Sequence, residues 1–400
     1  MQAFTQLLEL HDLAVREGRK RCHQRALYAT VAGSQGRHFI GIVGPRGAGK
    51  TILLKQMAAA DPGALYLSAD TLPEDADLFE IVKELSERYK YAVFLIDEVH
   101  FLPGAMASLK RIYDFLELRV IFTSSVALAM QTTAHDLARR VRLHTLEYFS
   151  FREYLLFVHG EDHAALSLDS FLAGEVSPGQ LRAGRYFAAY LGGGLLPFAM
   201  EDAEPLPLLA GILEKIIQRD IPQTLRLRLD ELSVLRKLVA FVGRSAVDGI
   251  NYSSLSANLG ITKYKAEQYA DALEKAFVLQ RIFPAGTNLL REPKVLLVPP
   301  VRLLHLPMAQ AAGGLREDFF ALAMRQAGIA IHYLKGPRGQ KTPDFLIHHD
   351  GKHIALEIGG KGKGCSQFKG ISAERKIVLA LDAAPLPDRL PLHLAGFLTS

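Results

Sequence analysis

Gly44-Pro45-Arg46-Gly47-Ala48-Gly49-Lys50-Thr51 fits G-x-x-x-x-G-K-[ST] at each fixed position. The apolar run Phe39-Ile40-Gly41-Ile42-Val43 precedes it and reads as a strand, and Ile52-Leu53-Leu54 opens a helix behind it. In that strand–loop–helix setting the glycines let successive backbone N–H groups turn inward around a polyphosphate, at the positive end of the following helix. The cradle then consists of Gly44, Pro45, Arg46, Gly47, Ala48 and Gly49, continued by Lys50, Thr51 and Ile52. The Lys50 ammonium would reach the β- and γ-phosphates, and the Thr51 hydroxyl would ligate Mg²⁺. ATP or GTP is the ligand such a loop accepts.

Tyr91-Ala92-Val93-Phe94-Leu95-Ile96-Asp97-Glu98 is an apolar run that ends in two acids. It reads as a strand buried on both faces of a parallel sheet. At the end of such a strand Asp97 would hold Mg²⁺, and Glu98 could polarise the water that attacks the γ-phosphate. Thr123-Ser124-Ser125 ends another strand-like run. The Thr123 hydroxyl would meet the γ-phosphate or its attacking water, or these hydroxyls cap the next helix, and the two roles are compatible. Within Leu137-Ala138-Arg139-Arg140-Val141, Arg140 is the candidate for neutralising charge on the transferred phosphoryl group, with a plain surface arginine as the alternative.

These residues need a scaffold. Helix is expected near the N-terminus, where Leu7, Leu8, Leu10, Leu13 and Val15 fall largely on one face. Strands are expected at Ala64 to Leu67, Arg119 to Thr123 and Arg142 to Leu146. Helices are expected at Leu78 to Tyr89, Ala105 to Phe115 and Val126 to Val141. Alternating apolar strands and helices imply a parallel sheet covered on both faces. Net charge +5 and pI near 9.0 permit nucleic-acid binding without requiring it. Cys22 and Cys365 alone cannot build a zinc site, and they fit a reducing compartment. No apolar run reaches membrane-spanning length and no signal-peptide pattern opens the chain, so a cytoplasmic protein is expected. His348, His349 and His353 flank an Asp350-Gly351 turn and read as a solvated hairpin tip.

Beyond about residue 151 the pattern is mainly helical. Leu232 to Val242, a short helix capped by Ser253 and ending at Gly260, and a helix from Lys263 to Phe277 capped by Thr262 come next. Strand-like runs at Val278 to Phe283 and Val295 to Val298 follow. Three helices and a hairpin match a winged helix, in which Lys263, Tyr264, Lys265 and Gln268 would touch phosphates or base edges of DNA. Such modules also dock proteins. Further on, Glu317 lies on an expected helix, Asp344 begins a strand and Glu357 sits in the next. Carboxylates on adjacent strands can share a divalent metal that activates water against a phosphodiester.

In this order the modules resemble prokaryotic AAA+ ATPases that join a P-loop core to a winged helix and a PD-(D/E)XK nuclease-like domain. The resemblance rests on Gly44 to Thr51, Leu95-Ile96-Asp97-Glu98, Thr123-Ser124-Ser125 and Phe149-Ser150-Phe151-Arg152-Glu153-Tyr154. Gly193-Gly194 with Pro197, Arg219-Asp220-Ile221-Pro222, Pro343-Asp344-Phe345 and Glu357-Ile358-Gly359-Gly360-Lys361 extend it. It implies an α/β fold: a P-loop parallel sheet with a helical lid, followed by a winged-helix domain and an α/β nuclease-like domain. The implied divisions are residues 1–37, 38–150, 151–228, 229–303 and 304–400. It also implies ATP rather than GTP, Mg²⁺, a homo-oligomer and no membrane. Arg139 stands where a glycine is expected before the finger arginine, and Gly359 stands where the nuclease lysine belongs. Lys361 or Lys363 is the nearest substitute for that lysine. Three functions follow: an ATPase coupled to DNA, a nucleotide-controlled switch that binds protein, or an ATP-gated, metal-dependent nuclease.

Overall fold

β1 (Phe39–Val43), β2 (Ala64–Ser68), β3 (Val93–Asp97), β4 (Arg119–Ser124) and β5 (Val141–Thr145) pair in parallel in the order β2-β3-β4-β1-β5. The apolar runs are strands because helices bury both of their faces: Ile42, Leu65, Phe94, Leu95, Ile96, Ile121 and Phe122 are all fully enclosed. Helices α1 (Gln2–Arg19), α2 (Ala26–Gly33), α3 (Lys50–Ala60), α4 (Leu78–Tyr89) and α5 (Ala105–Phe115) supply the cover and the N-terminal lead-in. In this computed structural model the described residues are 2–125, 139–225, 227–245, 249–286, 292–334, 342–360, 366–381 and 384–398. They divide into two compact units, Met1–Tyr148 and Phe149–Ser400.

The face α1 buries centres on His11, Ala14 and Gly18, with Leu7, Leu8 and Leu10 half-buried. Leu13 is 58% exposed, whereas His11, Ala14 and Gly18 are buried. Spacings of three and four put those three on one side, and α1 crosses α3 so closely that a Cβ at Gly18 would lie 2.1 Å from the Lys55 carbonyl oxygen. His11 also closes the sheet edge, because its Nδ1 accepts the Tyr66 backbone N–H of β2 at 3.1 Å. The helix expected over residues 126–141 falls mostly outside the described residues, and Arg139-Arg140 form the turn into β5.

The second unit begins with a capping box: Ser150 Oγ accepts from the Glu153 N–H and the Glu153 carboxylate accepts from the Ser150 N–H, starting the helix Phe151–His159. Helices predominate up to Leu225, interrupted at Gly193, whose φ of 134° no side-chain-bearing residue readily adopts. The helices Leu229–Arg244, Tyr252–Leu259 and Lys263–Lys275 precede an antiparallel hairpin, β6 (Leu279–Ile282) and β7 (Lys294–Leu297). Thr262 caps the third helix as expected. The second is capped by Asn251 rather than Ser253, whose N–H and hydroxyl both go to Glu292 at 2.7 Å.

A second five-stranded sheet follows, ordered β12-β11-β10-β9-β8, from β8 (Ile331–His332), β9 (Phe345–His349), β10 (Lys352–Gly359), β11 (Arg375–Ala380) and β12 (Arg389–Pro391). It is parallel across β10-β11-β12 and antiparallel across β8-β9-β10. Asp350 and Gly351 turn the β9–β10 hairpin with positive φ, so His348 and His353 face each other across an exposed tip. The helix Met308–Gln326 packs on the hairpin and on this sheet, and it carries Asp318, which is fully buried. Arg302 pairs with Asp318 at 2.6 and 3.1 Å and also donates to the Val242 carbonyl, while the Leu297 N–H reaches Asp318 at 3.1 Å. Burial pushes the Asp318 carboxyl up to about 6 despite that guanidinium. One buried ion pair thus ties β7 and the helices Leu229–Arg244 and Met308–Gln326 together. No helix among the described residues is long and apolar enough to cross a membrane.

Replacing His11 by phenylalanine keeps the volume but leaves the Tyr66 N–H without its acceptor. Urea unfolding should register a loss of about 1–3 kcal/mol. Burial holds the His11 imidazole below its ordinary 6.5, so the unfolded chain takes a proton that the folded one refuses. Wild-type stability should therefore fall as pH drops below about 6.5, and the part due to His11 should be missing in the variant.

Candidate functional site

The carboxyl ends of the parallel strands gather the residues that the sequence singled out. β1 runs into the loop Gly44–Gly49, and α3 starts at Lys50. Gly47 and Gly49 have φ of 76° and 94°, and a Cβ on Gly44 would stand 2.1 Å from the Leu146 carbonyl oxygen. Two of these glycines turn the loop and the third lets the segment after β5 lie against it. The Lys50 ammonium is buried and donates to the Gly44 and Pro45 carbonyls, each at 2.9 Å, so it closes the loop on itself.

Asp97 is 2% exposed at the tip of β3. It accepts the Tyr66 hydroxyl of β2 at 2.9 Å and the Thr123 hydroxyl of β4, and the Thr51 hydroxyl of α3 lies near enough to favour its charge. Burial pushes its carboxyl above the usual range, and the Thr123 and Thr51 hydroxyls oppose that rise. Burial, reinforced by the Asp97 charge, likewise pushes the Tyr66 phenol up. A hydroxyl and a carboxylate are hard oxygen donors, and a divalent cation beside them would offset the cost of burying the Asp97 charge. Thr51 and Asp97 therefore fit Mg²⁺.

Glu98, next in the chain, has a left-handed backbone (φ 51°), which carries its side chain out of the strand's alternation. Its N–H donates to Thr123 Oγ1 at 2.9 Å. Its carboxylate accepts the Ser125 hydroxyl at 2.6 Å and the Ser125 N–H at 3.1 Å, and lies 3.2 Å from His100 Nδ1. The Thr123-Ser124-Ser125 tip thus holds the two acids in place: Thr123 binds Asp97, Ser125 binds Glu98, and Ser124 Oγ is 3.3 Å from His100 Nδ1. The segment whose helix they were expected to cap lies outside the described residues.

Arg140 lies away from the loop. Its carbonyl accepts the Phe39 N–H at the amino end of β1, and its guanidinium is bidentate on Asp114 at 2.9 and 3.0 Å. The phosphate loop leaves the opposite end of β1, so Arg140 stands a strand length away, about 16 Å. It is no sensor for the loop of its own chain. Arg25 was missed and is at the loop. Buried, it donates to the Ala48 carbonyl and, at 2.8 and 3.3 Å, to the carbonyls of Glu147 and Tyr148. The Tyr148 hydroxyl adds a bond to the Arg46 carbonyl at 3.3 Å. No local pattern marks Arg25, since its three acceptors are main-chain oxygens far along the chain.

In the second unit, the residues expected to touch DNA are engaged internally. Lys263 pairs with Glu292, Lys265 with Glu231 at 2.8 Å, and the Gln268 amide donates to the Tyr264 hydroxyl at 2.9 Å. Their helix carries three lysines and three acids, so its own charges sum to zero. Glu317, Asp344 and Glu357 do come together. Asp344 accepts the Ile358 N–H at 2.7 Å, and Leu356 is directly across from Phe345 in the β9–β10 ladder. Burial first, then the Glu317 charge, pushes the Asp344 carboxyl well above the usual range. Lys361 and Lys363 lie outside the described residues. The ammonium beside the acids belongs instead to Lys294 of β7, 2.5 Å from Glu317 and 3.9 Å from Asp344.

A family described as AAA domain matches residues 36–155, and a domain of unknown function (DUF8612) matches residues 186–298. An uncharacterized protein of Methanocaldococcus jannaschii is 26% identical over 406 residues, covering 90% of this chain and 85% of that one. Among solved structures, the S. cerevisiae Hsp104–ADP complex aligns over 62% of the chain at 18% identity with a TM-score of 0.30. The extended S. cerevisiae Hsp104–casein complex aligns over 66% at 16% identity with a TM-score of 0.34. The chain spans only 37% and 52% of those Hsp104 chains. With the family match and the sheet's strand order together, residues 36–155 are an AAA domain of α/β P-loop fold, the nucleotide-binding core of AAA+ ATPases.

Proposed function

We propose that this protein hydrolyses Mg-ATP. The observation that carries the reading is the convergence, at one end of a parallel sheet, of a glycine loop with its lysine, a buried carboxylate near the Thr51 hydroxyl, and a second carboxylate beside it. In this reading the β- and γ-phosphate oxygens replace the Gly44 and Pro45 carbonyls as acceptors for Lys50. Thr51 and Asp97 hold Mg²⁺, whose chemistry is to neutralise charge on the phosphates. Glu98 takes a proton from the attacking water once its carboxylate turns from Ser125 and His100. Arg25 and Tyr148 fix the outer side of the loop through the Ala48 and Arg46 carbonyls.

For the partner of the second unit, the ion pairs of Lys263 and Lys265 favour protein over DNA. A duplex would have to displace Glu292 and Glu231 before those ammoniums could meet phosphates. The DNA-coupled reading retains a clear signature. Duplex, single-stranded or branched DNA should then accelerate ATP turnover, and the acceleration should fall steeply with salt. Turnover that is indifferent to every DNA form supports the protein partner. The same assay without DNA tests the ATPase itself, and no Mg²⁺-dependent phosphate release would remove it.

Two variant comparisons follow. Glu98→Gln should retain ATP but lose about 10²–10⁴-fold in kcat, whereas Lys50→Ala should lose tight ATP binding. Nucleotide affinity by calorimetry beside steady-state turnover separates them, and equal turnover in Glu98→Gln and wild type would mean another group is the base. Arg25→Ala should loosen the loop and lower kcat/KM by up to about 10²-fold. Arg25→Lys, which can reach fewer of the carbonyls, should fall between that variant and the wild type.

A further inference from the structure

The nuclease-like resemblance implies a divalent metal among Glu317, Asp344 and Glu357, and the residues present do not fit one. Lys294 is 8% exposed, and its ammonium lies 2.5 Å from Glu317, 3.9 Å from Asp344 and 5.2 Å above the Phe345 ring. A cation already occupies the space that oxygen ligands would offer a metal. At this range the ammonium and a divalent ion would repel each other, which weakens the hold of the carboxyls on the ion.

Access is not what keeps a metal out. A cavity of about 180 Å³ reaches Lys294 and Glu317 past Gly313, Gly314 and Gln310, so an ion from solvent has a path. Nor is the ammonium there by the wandering of a surface side chain. Lys294 opens β7, its Cα partner across the hairpin is Ile282, and β7 is fixed to the helix Met308–Gln326 by Asp318, which accepts the Leu297 N–H. Glu317 is the neighbour of Asp318 on that helix, so the bond that docks the hairpin also sets Lys294 against Glu317. Glu357 and Gly359 alternate onto one face of β10. Glycine at 359 adds no side chain on that face, and the positive charge comes from another element altogether.

We propose that Lys294 is a tethered cation that takes the metal's position in the Glu317–Asp344–Glu357 group and closes it to divalent ions. The hairpin thereby converts a metal-type carboxylate cluster into an internal charge lock between β7 and the second sheet. The lock needs no cofactor, and removal of its ammonium opens the cluster to metal.

Mn²⁺ binding to the full chain without nucleotide, followed by electron paramagnetic resonance of the unbound ion, tests this. Wild type and Asp344→Asn should take up the same Mn²⁺, because no ion in wild type depends on Asp344. Lys294→Met should gain a site, and the Lys294→Met/Asp344→Asn double variant should lose it. Thermal unfolding of Lys294→Met should shift upward with Mn²⁺ by more than wild type does, and the excess should be absent in the double variant. Mn²⁺ uptake by wild type that disappears in Asp344→Asn overturns the proposal, and this arm stands even if Lys294→Met does not fold. A folded Lys294→Met that gains no ion overturns it as well.

Discussion

A buried carboxylate needs partners, and Asp97 has them from three sides. Its oxygens accept hydroxyls from Tyr66 on β2 and Thr123 on β4, and the Thr51 hydroxyl on α3 lies near. Withdrawing a carboxylate from water is costly unless hydrogen bonds or a counter-charge offset it. The order β2-β3-β4 makes this possible, because it sets the neighbouring strands' last residues beside the tip of β3. Thr123 then links Asp97 to the Glu98 backbone, and Ser125 holds the Glu98 carboxylate. The nucleotide site is thus a consequence of how the sheet compensates one acid at its carboxyl edge.

The second unit solves the same problem with cations. Arg302 compensates Asp318, and Lys294 lies among Glu317, Asp344 and Glu357. Both cations stand in or just after β7, and both acids they meet first are consecutive on one helix. Breaking such a pair by removing one member leaves an uncompensated charge, so these contacts hold the hairpin to the helix strongly in one arrangement. The first unit answers its buried acid with hydroxyls, which leave room for an added divalent ion. The second answers with side-chain cations, which do not.

Much of this was legible in order and type. β1, β3 and β4 announced themselves as unbroken apolar runs, since strands covered on both faces carry no polar alternation. Thr262 and Gly260 marked helix ends because capping is a local bond. What was not legible shares a common reason. Leu13 looked like core, yet α1 buries His11, Ala14 and Gly18, the side on which its backbone can approach α3. Lys263 and Lys265 looked like phosphate contacts, yet Glu292 and Glu231, each about thirty residues distant in the chain, claim them. Arg140 looked like part of the site, yet the direction of β5 puts it at the sheet's other end.

By itself the sequence determined the phosphate loop, the acid-tipped strand and the alternation of strands and helices, because each depends on residues within one turn or one strand of each other. Only the tertiary structure decided what each charge meets. Arg25 finds carbonyls more than a hundred residues away, Arg140 finds Asp114, and Lys294 finds the acids that Gly359 leaves without a neighbouring lysine. Charge pairing acts through space with no fixed sequence spacing, so it becomes visible only once the chain is folded.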